Sequence, residues 1–274
     1  MAISGILSSQ NHYNQRASGS WPTSVYVYVP PVSTQKAIFG YGYNGSTVVS
    51  MTNLVSNTGA VANDVTGVGT ARFYSAAAGY GGDKAIFGYG YGADNYSLTN
   101  LVSNTGVVAT DTAGVGSVRY GLAAAGYGTA KAIFGYGVGD SGGTTTTNLV
   151  SNTGVVGNDV TGVGTYRSNL AAAGYGTDKA IFGYGIGAEV YSITNLVSNT
   201  GVVASNTTGV GTARHSLASA GYGGDKAIFG YGNNNVSAQS VTNLVSNTGV
   251  VATDTTGVGT ARQQLAAAGY SSTI

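Results

Sequence analysis

The chain repeats itself five times, and that periodicity limits the folds open to it more than any other feature. The string KAIFGYG begins at Lys36, Lys84, Lys131, Lys179 and Lys226, and TNLVSNTG begins at Thr52, Thr99, Thr147, Thr194 and Thr242. Successive starts are 47 or 48 residues apart. Each unit also carries one arginine after a GVG turn: Arg72, Arg119, Arg167, Arg214 and Arg262. A fixed period of this length marks an array whose units bury their apolar faces on their neighbours.

Within a unit the pattern is that of short strands. In the second, residues 75–80 (SAAAGY) are small and apolar, 84–89 (KAIFGY) apolar and aromatic, 98–103 (LTNLVS) alternating and 106–110 (GVVAT) β-branched. Turn residues separate them at 81–83, 90–97, 104–106 and 112–116. Glycine supplies 46 of the 274 residues and proline only 3, which fits tight turns between strands better than collagen or disorder. No segment carries a helical period. Four strands in 40 to 50 residues make one propeller blade, whereas a β-solenoid coil is shorter. The reading is an all-β fold: a five-bladed β-propeller over 36–274, built from ~47-residue four-stranded blades, with residues 1–35 as a separate N-terminal arm. The first KAIFGYG lacks a preceding AAAGYG strand, and the last such strand, residues 265–270, lacks a following KAIFGYG. The expectation is that the C-terminal strand closes the ring as the innermost strand of the blade beginning at Lys36, leaving no open sheet edge. The Ala-Ala-Ala-Gly strands suit a narrow axis.

An arginine, a small apolar strand, a tight turn, a strand ending in glycines, a variable loop and a third strand together resemble the kelch repeat. The resemblance spans 36–274. It departs from the kelch pattern where the double glycine becomes Gly-Tyr-Gly (Gly88–Gly90) and where the later Trp is missing. It implies a propeller, most often with a binding role; the copper oxidases among kelch-like propellers would need Cys and His. The near-identical Gly/Tyr/Thr-rich repeats, few charges and polar N-terminal arm also resemble bacteriophage virion proteins, such as appendage, tail-fibre or head-decoration subunits.

Composition removes several functions. Eleven Lys and Arg balance ten Asp and Glu, so the basic surplus that nucleic acid or an anionic membrane demands is absent. There is no cysteine and there are only two histidines, His12 and His215, which excludes a disulfide scaffold, a thiol nucleophile and a Cys-ligated zinc. No apolar run reaches the ~20 residues of a membrane span, and MAISGILSSQ has no basic n-region, so no Sec signal is expected. GYGYG and GVGT lack the lysine and following helix of a phosphate loop. With no catalytic constellation, the expectation is a non-enzymatic protein without cofactor or metal.

Four sets of residues remain as candidates. The repeat arginines and lysines can form a ring of cations for an anion, or can pair locally: Asp64, Asp111, Asp159 and Asp254 lie eight residues before their arginine, with Asn206 in the fourth unit, and Asp83, Asp178 and Asp225 directly precede their lysine. Local pairing is the expectation. Tyr80, Tyr127, Tyr175, Tyr222 and Tyr270, with Tyr41, Tyr89, Tyr136, Tyr184 and Tyr231, are expected to pack between blades, with an aromatic platform for sugars as the alternative. Variation among the repeats concentrates in the loop after GYG and in the residues after each Arg, which an up-and-down blade brings to one rim. That rim carries Tyr43, Asn44, Tyr91, Asp94, Asn95, Tyr96, Asp140, Glu189, Tyr191, Asn233, Asn234 and Asn235, polar and aromatic residues suited to recognition on a rigid scaffold. The arm holds the only Trp, Trp21, and the alternating Val25, Tyr26, Val27, Tyr28 and Val29 before two prolines. It is expected to dock the protein to a neighbour by strand addition.

These residues lead to the expectation of a virion component whose arm docks to other virion proteins or to copies of itself, with the rim outward and host-surface glycans as a candidate partner. The alternative is a free, secreted multivalent glycan-binding lectin or adhesin.

Overall fold

A computed structural model describes residues 36–269. They are all-β, with no helix among them and only small antiparallel sheets. The arm, including Trp21 and Val25 to Val29, lies outside the described residues.

In the first sheet β1 (Ala37–Tyr43) pairs only with β2 (Val48–Val55). Four three-stranded sheets of one plan follow. The second joins β3 (Ala76–Tyr80), β4 (Lys84–Tyr91) and β5 (Asn95–Val102), and the third joins β6 (Ala123–Tyr127) and β7 (Lys131–Gly135) to a later strand. Between them in sequence a two-residue hairpin, β8 (Val138–Gly139) with β9 (Gly142–Gly143), forms in the variable loop before that strand, β10 (Thr147–Val150). The fourth sheet is β11 (Ala171–Tyr175), β12 (Lys179–Gly183) and β13 (Thr194–Val197), and the fifth is β14 (Ala218–Tyr222), β15 (Lys226–Gly230) and β16 (Thr242–Val245). Each complete sheet therefore takes its AAAGY strand from the end of one sequence unit and its KAIFG and TNLV strands from the next.

In the four three-stranded sheets the KAIFG strand occupies the middle, and in the third and fourth it is buried on both faces, as its unbroken apolar run requires: Ile133 and Phe134, like Ile181 and Phe182, are inaccessible to solvent. The expected fourth strand is only partly realised. Residues after SNTG touch the third strand at two isolated bridges per unit, such as Val102 with Val108 and Thr99 with Thr112. Between those bridges Asn100 Nδ2 donates to the Ala109 carbonyl, so a side chain takes the place of a ladder bond and no regular strand forms.

The AAAGY strands β3, β6, β11 and β14 lie side by side in chain order. Their glycines permit it: a Cβ on Gly126 would stand 3.6 Å from the Gly79 carbonyl oxygen, and one on Gly174 3.5 Å from that of Gly126. At the start of these strands the chain turns through a left-handed residue: Tyr74, Gly121, Asn169, Ser216 and Gln264 all have φ between 48° and 62°. Each passes a hydrogen bond back to the one before. The amides of Gly121, Asn169, Ser216 and Gln264 donate to the carbonyls of Tyr74, Gly121, Asn169 and Ser216 at 2.8–3.0 Å. At the opposite end, Gly81, Gly128 and Gly176 donate forward to Ala130, Asp178 and Asp225 at 2.7 Å.

Of residues 265–270, expected to pair with β1, 265–269 form no strand, and Tyr270 lies outside the described residues. Gln264 anchors their start to Ser216 beside β14, and Gly269 closely approaches Gly221, but among the described residues β1 has β2 as its only ladder partner. The difference lies in which side is satisfied: the segment holds the sheet before it and not the sheet that would follow. The apolar core sits between consecutive sheets. One cluster combines Ala123, Ala125, Tyr127, Ile133 and Tyr136 of the third sheet with Leu170, Ala180, Phe182 and Val197 of the fourth. The next repeats it one sheet on, with Tyr175, Ile181 and Tyr184 against Leu217, Phe229 and Val245.

Candidate functional site

The repeat arginines belong to the interfaces between sheets. Within GYG the tyrosine takes a left-handed conformation, with φ 62–66° at Tyr41, Tyr89, Tyr136, Tyr184 and Tyr231, and β1 and β4 carry register shifts beside it. This turns the ring under the arginine of its own unit, whose guanidinium carbon lies 3.9–4.4 Å from the ring centroid in all five units. The tyrosine hydroxyl donates to a valine carbonyl of the GVG turn, as from Tyr41 to Val68 at 3.1 Å. From there the arginine reaches the next sheet. Arg72, Arg167 and Arg214 donate to the Oδ1 of Asn100, Asn195 and Asn243 at 2.5–2.6 Å, and Arg119 donates to Asn148.

The aspartates correct the sequence expectation. Arg72 pairs with Asp111 at 3.7 Å, Arg119 with Asp159 at 3.8 Å and Arg214 with Asp254 at 3.9 Å, each in the following unit. Asp64 is held by Asn53, at 2.8 Å, and not by Arg72. The eight-residue spacing misled because the GVG turn carries the arginine away from its own aspartate and onto the neighbour's. The turn then receives that neighbour: the Thr70 amide and hydroxyl donate to Asp111 Oδ2 at 2.9 and 2.7 Å, and a Cβ on Gly69 would overlap the same carboxylate. Partial burial pushes the Asp111 carboxyl up. Hydrogen bonds from Thr70 and Asn100 and the charge of Arg72 outweigh it and hold the carboxyl below its ordinary value. Arg72, Arg119, Arg167 and Arg214 are fully buried, spent on packing and closed to an anion, whereas Arg262 is exposed.

The lysines do pair locally. Lys84, Lys179 and Lys226 bond Asp83, Asp178 and Asp225 at 2.7–3.3 Å, and each aspartate also accepts from the asparagine of an SNTG turn, at 3.0 Å. The two copied turns are thereby fastened into one rim. Beneath it lies a cavity of about 720 Å³ lined by Gly79, Gly126, Gly174, Gly221 and Gly269, one from each AAAGY segment, with Lys84, Lys131, Lys179 and Lys226 around it. Three of these lysines are neutralised by their aspartates, and only Lys131 follows an alanine. Three tyrosines of the AAAGY strands pack between sheets, since a Cβ on the SNTG glycines Gly154, Gly201 and Gly249 would meet the rings of Tyr80, Tyr127 and Tyr175 at 2.9–3.0 Å, but Tyr222 is exposed and Tyr270 lies outside the described residues.

At the opposite rim the structure joins the two variable segments. The residue after each arginine bridges the loop after GYG: Phe73 with Tyr91, Tyr120 with Val138, Ser168 with Ile186 and His215 with Asn233. The candidate rim residues then divide. Asn44, Asn233 and Asn234 spend their side-chain oxygens on amides of their own turns, at 2.6–3.0 Å. Asn235 Oδ1 accepts from His215 Nε2 at 3.0 Å. Asp94 and Glu189 are exposed, and Tyr191 lies half-buried against Gly187. Asn95 donates to Asp140 of the next unit at 2.7 Å. Tyr96, half-buried, packs on Gly92, and its carbonyl receives the Arg119 amide. Tyr43 and Tyr91 are exposed and meet Phe73 and Tyr120, which in turn meet Tyr74, three aromatic residues that the sequence reading did not single out. Their position directly after Arg72 and Arg119, in the second variable segment, was the available signal.

Among the described residues no group of His, Asp and Glu is placed to hold a metal. No family model matches the chain, and no curated protein matches it.

Proposed function

We propose that the five units form a closed five-bladed β-propeller that acts as a non-enzymatic recognition head, with its copied interfaces as framework and its variable rim as the contact surface. The observation that carries this reading is the division of labour among the repeats. Residues identical in every unit are consumed by the interfaces between sheets, while those that differ gather on one rim. Five AAAGY segments lining one cavity support the ring. So does the seam between the fifth sheet and the first, which presents two halves of the interface made four times elsewhere. Among the described residues Arg262 stacks on Tyr231 at 3.9 Å but has no asparagine partner, while Asn53 and Asp64 bond each other without an arginine. Phe39, whose counterparts cover Tyr41, Tyr89, Tyr136 and Tyr184, is 56% exposed.

The resemblance to phage proteins supplies the setting: a virion appendage, docked by residues 1–35 to capsid or tail, whose head faces outward. Light scattering on the full chain and on residues 36–274 tests this. An assembly that falls to monomer without the arm is the expected result; a monomer in both cases overturns the docking role.

A further inference from the structure

We propose that Phe73, Tyr74, Tyr91 and Tyr120, with Tyr43 beside them, form one binding site for a neutral saccharide. The inference rests on the recognition reading above and deepens it by naming the site and the ligand class.

The four rings make a closed circuit. Phe73 lies 4.6 Å from Tyr74 and 5.5 Å from Tyr91, and Tyr120 completes it at 6.1 Å from Tyr74 and 5.6 Å from Tyr91. Tyr43 extends it at 6.1 Å from Phe73. Two consecutive units contribute, yet among the described residues the cluster occurs once. The residues at the Phe73 and Tyr74 positions are Ser168 and Asn169 in one later unit and His215 and Ser216 in the next, and the His215 ring is satisfied by Ser216 and Asn235. Tyr43, Tyr74 and Tyr91 are 58%, 45% and 38% exposed, the largest aromatic exposure concentrated in one place among the described residues.

The surroundings select the ligand. The variable loops carry Asp94, Asp140 and Glu189 and no Lys or Arg, so anionic sugars and nucleic acid are disfavoured. Neighbouring ring centroids stand 4.6–6.1 Å apart, the spacing of aromatic pairs packed on one another, which makes this a platform. Ring faces offer apolar surface to the C–H face of a sugar, and tyrosine hydroxyls offer polar edges. Acceptors stand at the margin. Asn95, the register partner of Tyr91, holds Asp140 through Nδ2, while its Oδ1 is buried with no partner. Apart from arginine Nε atoms, that oxygen is the only buried side-chain polar atom without a hydrogen bond among the described residues. A small reorientation of Asn95 presents it to a ligand hydroxyl and removes the cost of leaving it unpaired.

The test is a panel of neutral oligosaccharides screened against the full chain, followed by titration of the best binder into Tyr74→Ala, Tyr91→Ala and Tyr91→Phe, each checked for an unchanged melting curve. The alanine variants should each weaken binding about tenfold or more, as loss of a stacked anchor does. Tyr91→Phe keeps the ring and should stay within about threefold. Sugar binding that survives both alanine variants overturns the site while leaving a recognition head. Absence of any neutral-sugar binding overturns the ligand class, and a protein bound through Tyr74 and Tyr91 in its place keeps the recognition reading alone.

Discussion

Arg72 finds its carboxylate partner in Asp111 of the following unit, at 3.7 Å, and leaves Asp64 of its own unit to Asn53. Three copied positions of the repeat are explained by that handover. Tyr41 must be left-handed to lie under the guanidinium, Gly69 must lack a Cβ to admit the aspartate, and Asn100 must be buried to receive the arginine. The clamp joins two sheets through a charge taken fully out of water, so each of its hydrogen bonds opposes a large desolvation cost. Burial accordingly pushes the Arg72 guanidinium down from its usual range, with Tyr41 and Asp111 acting in the opposite direction.

The fourth unit supplies an internal control, because Asn206 stands where the other clamps have aspartate. It accepts from the Thr165 amide at 3.2 Å and from Asn195 at 3.1 Å, but Arg167 lacks an ion pair there. Asn206→Asp should therefore stabilise the protein. The carboxylate replaces the amide in shape, Thr165 can turn its hydroxyl to donate as Thr70 does, and Arg167 gains a charge partner. A partly exposed pair of this kind contributes up to about 1 kcal/mol. Its counterparts Asp111, Asp159 and Asp254 have depressed pKa values, so the added stability should be present above pH ~4 and lost as pH falls below it. Urea denaturation of both proteins at pH 7 and pH 3 measures this; equal stability at pH 7 counts against the clamp.

The tyrosines under the arginines predict the alkaline limit. Burial raises Tyr89, Tyr136 and Tyr184 to about 12, with the nearby arginines lowering them only in part. An unfolded tyrosine loses its proton near pH 10. Below pH 10 both states are protonated and the contribution is complete. Between pH 10 and 12 the unfolded chain ionises first, and stability should fall by roughly 2–3 kcal/mol per site across that window. Denaturation midpoints taken from pH 8 to 12, with tyrosinate absorbance followed in parallel, test the sign: the absorbance of the buried set should rise only as the protein unfolds.

Much of the fold was legible in the sequence because it is written five times. Residues 84–89 and 98–103 read as strands through their apolar run and alternation, and β4 and β5 lie there. The two variable segments were assigned to one rim, and bridges such as Phe73 with Tyr91 join them. Partner choice was not legible. Copies of the same aspartate occur at one period before and after, so spacing alone cannot tell Asp64 from Asp111. The fourth strand failed for a related reason: residues 106–110 have strand composition, but Asn100 competes for their carbonyls. The aromatic circuit was missed because Phe73 and Tyr120 differ in type from unit to unit, and only the folded geometry brings them to Tyr91.

The seam gives the sharpest test of ring closure, since closed and open forms differ in the chemistry of two named residues. In a closed ring Arg262 should reach Asn53 and Asp64 as Arg119 reaches Asn148 and Asp159. A double-mutant cycle on Arg262 and Asp64 should then return a coupling of about 1 kcal/mol or more, matching the cycle on Arg119 and Asp159. Gly230 supplies a second readout. A Cβ on Gly135 or Gly183 would strike the next phenylalanine at 2.7 Å, whereas one on Gly230 meets only Thr242, at 3.2 Å. With Phe39 seated over it, Gly230→Ala should cost about as much as Gly183→Ala, in the 1–3 kcal/mol range of overpacking. Zero coupling at Arg262, together with a harmless Gly230→Ala, would place the fifth interface outside the folded protein. The same couplings appearing only in a dimer, by light scattering, would show the seam completed by a second copy of the chain.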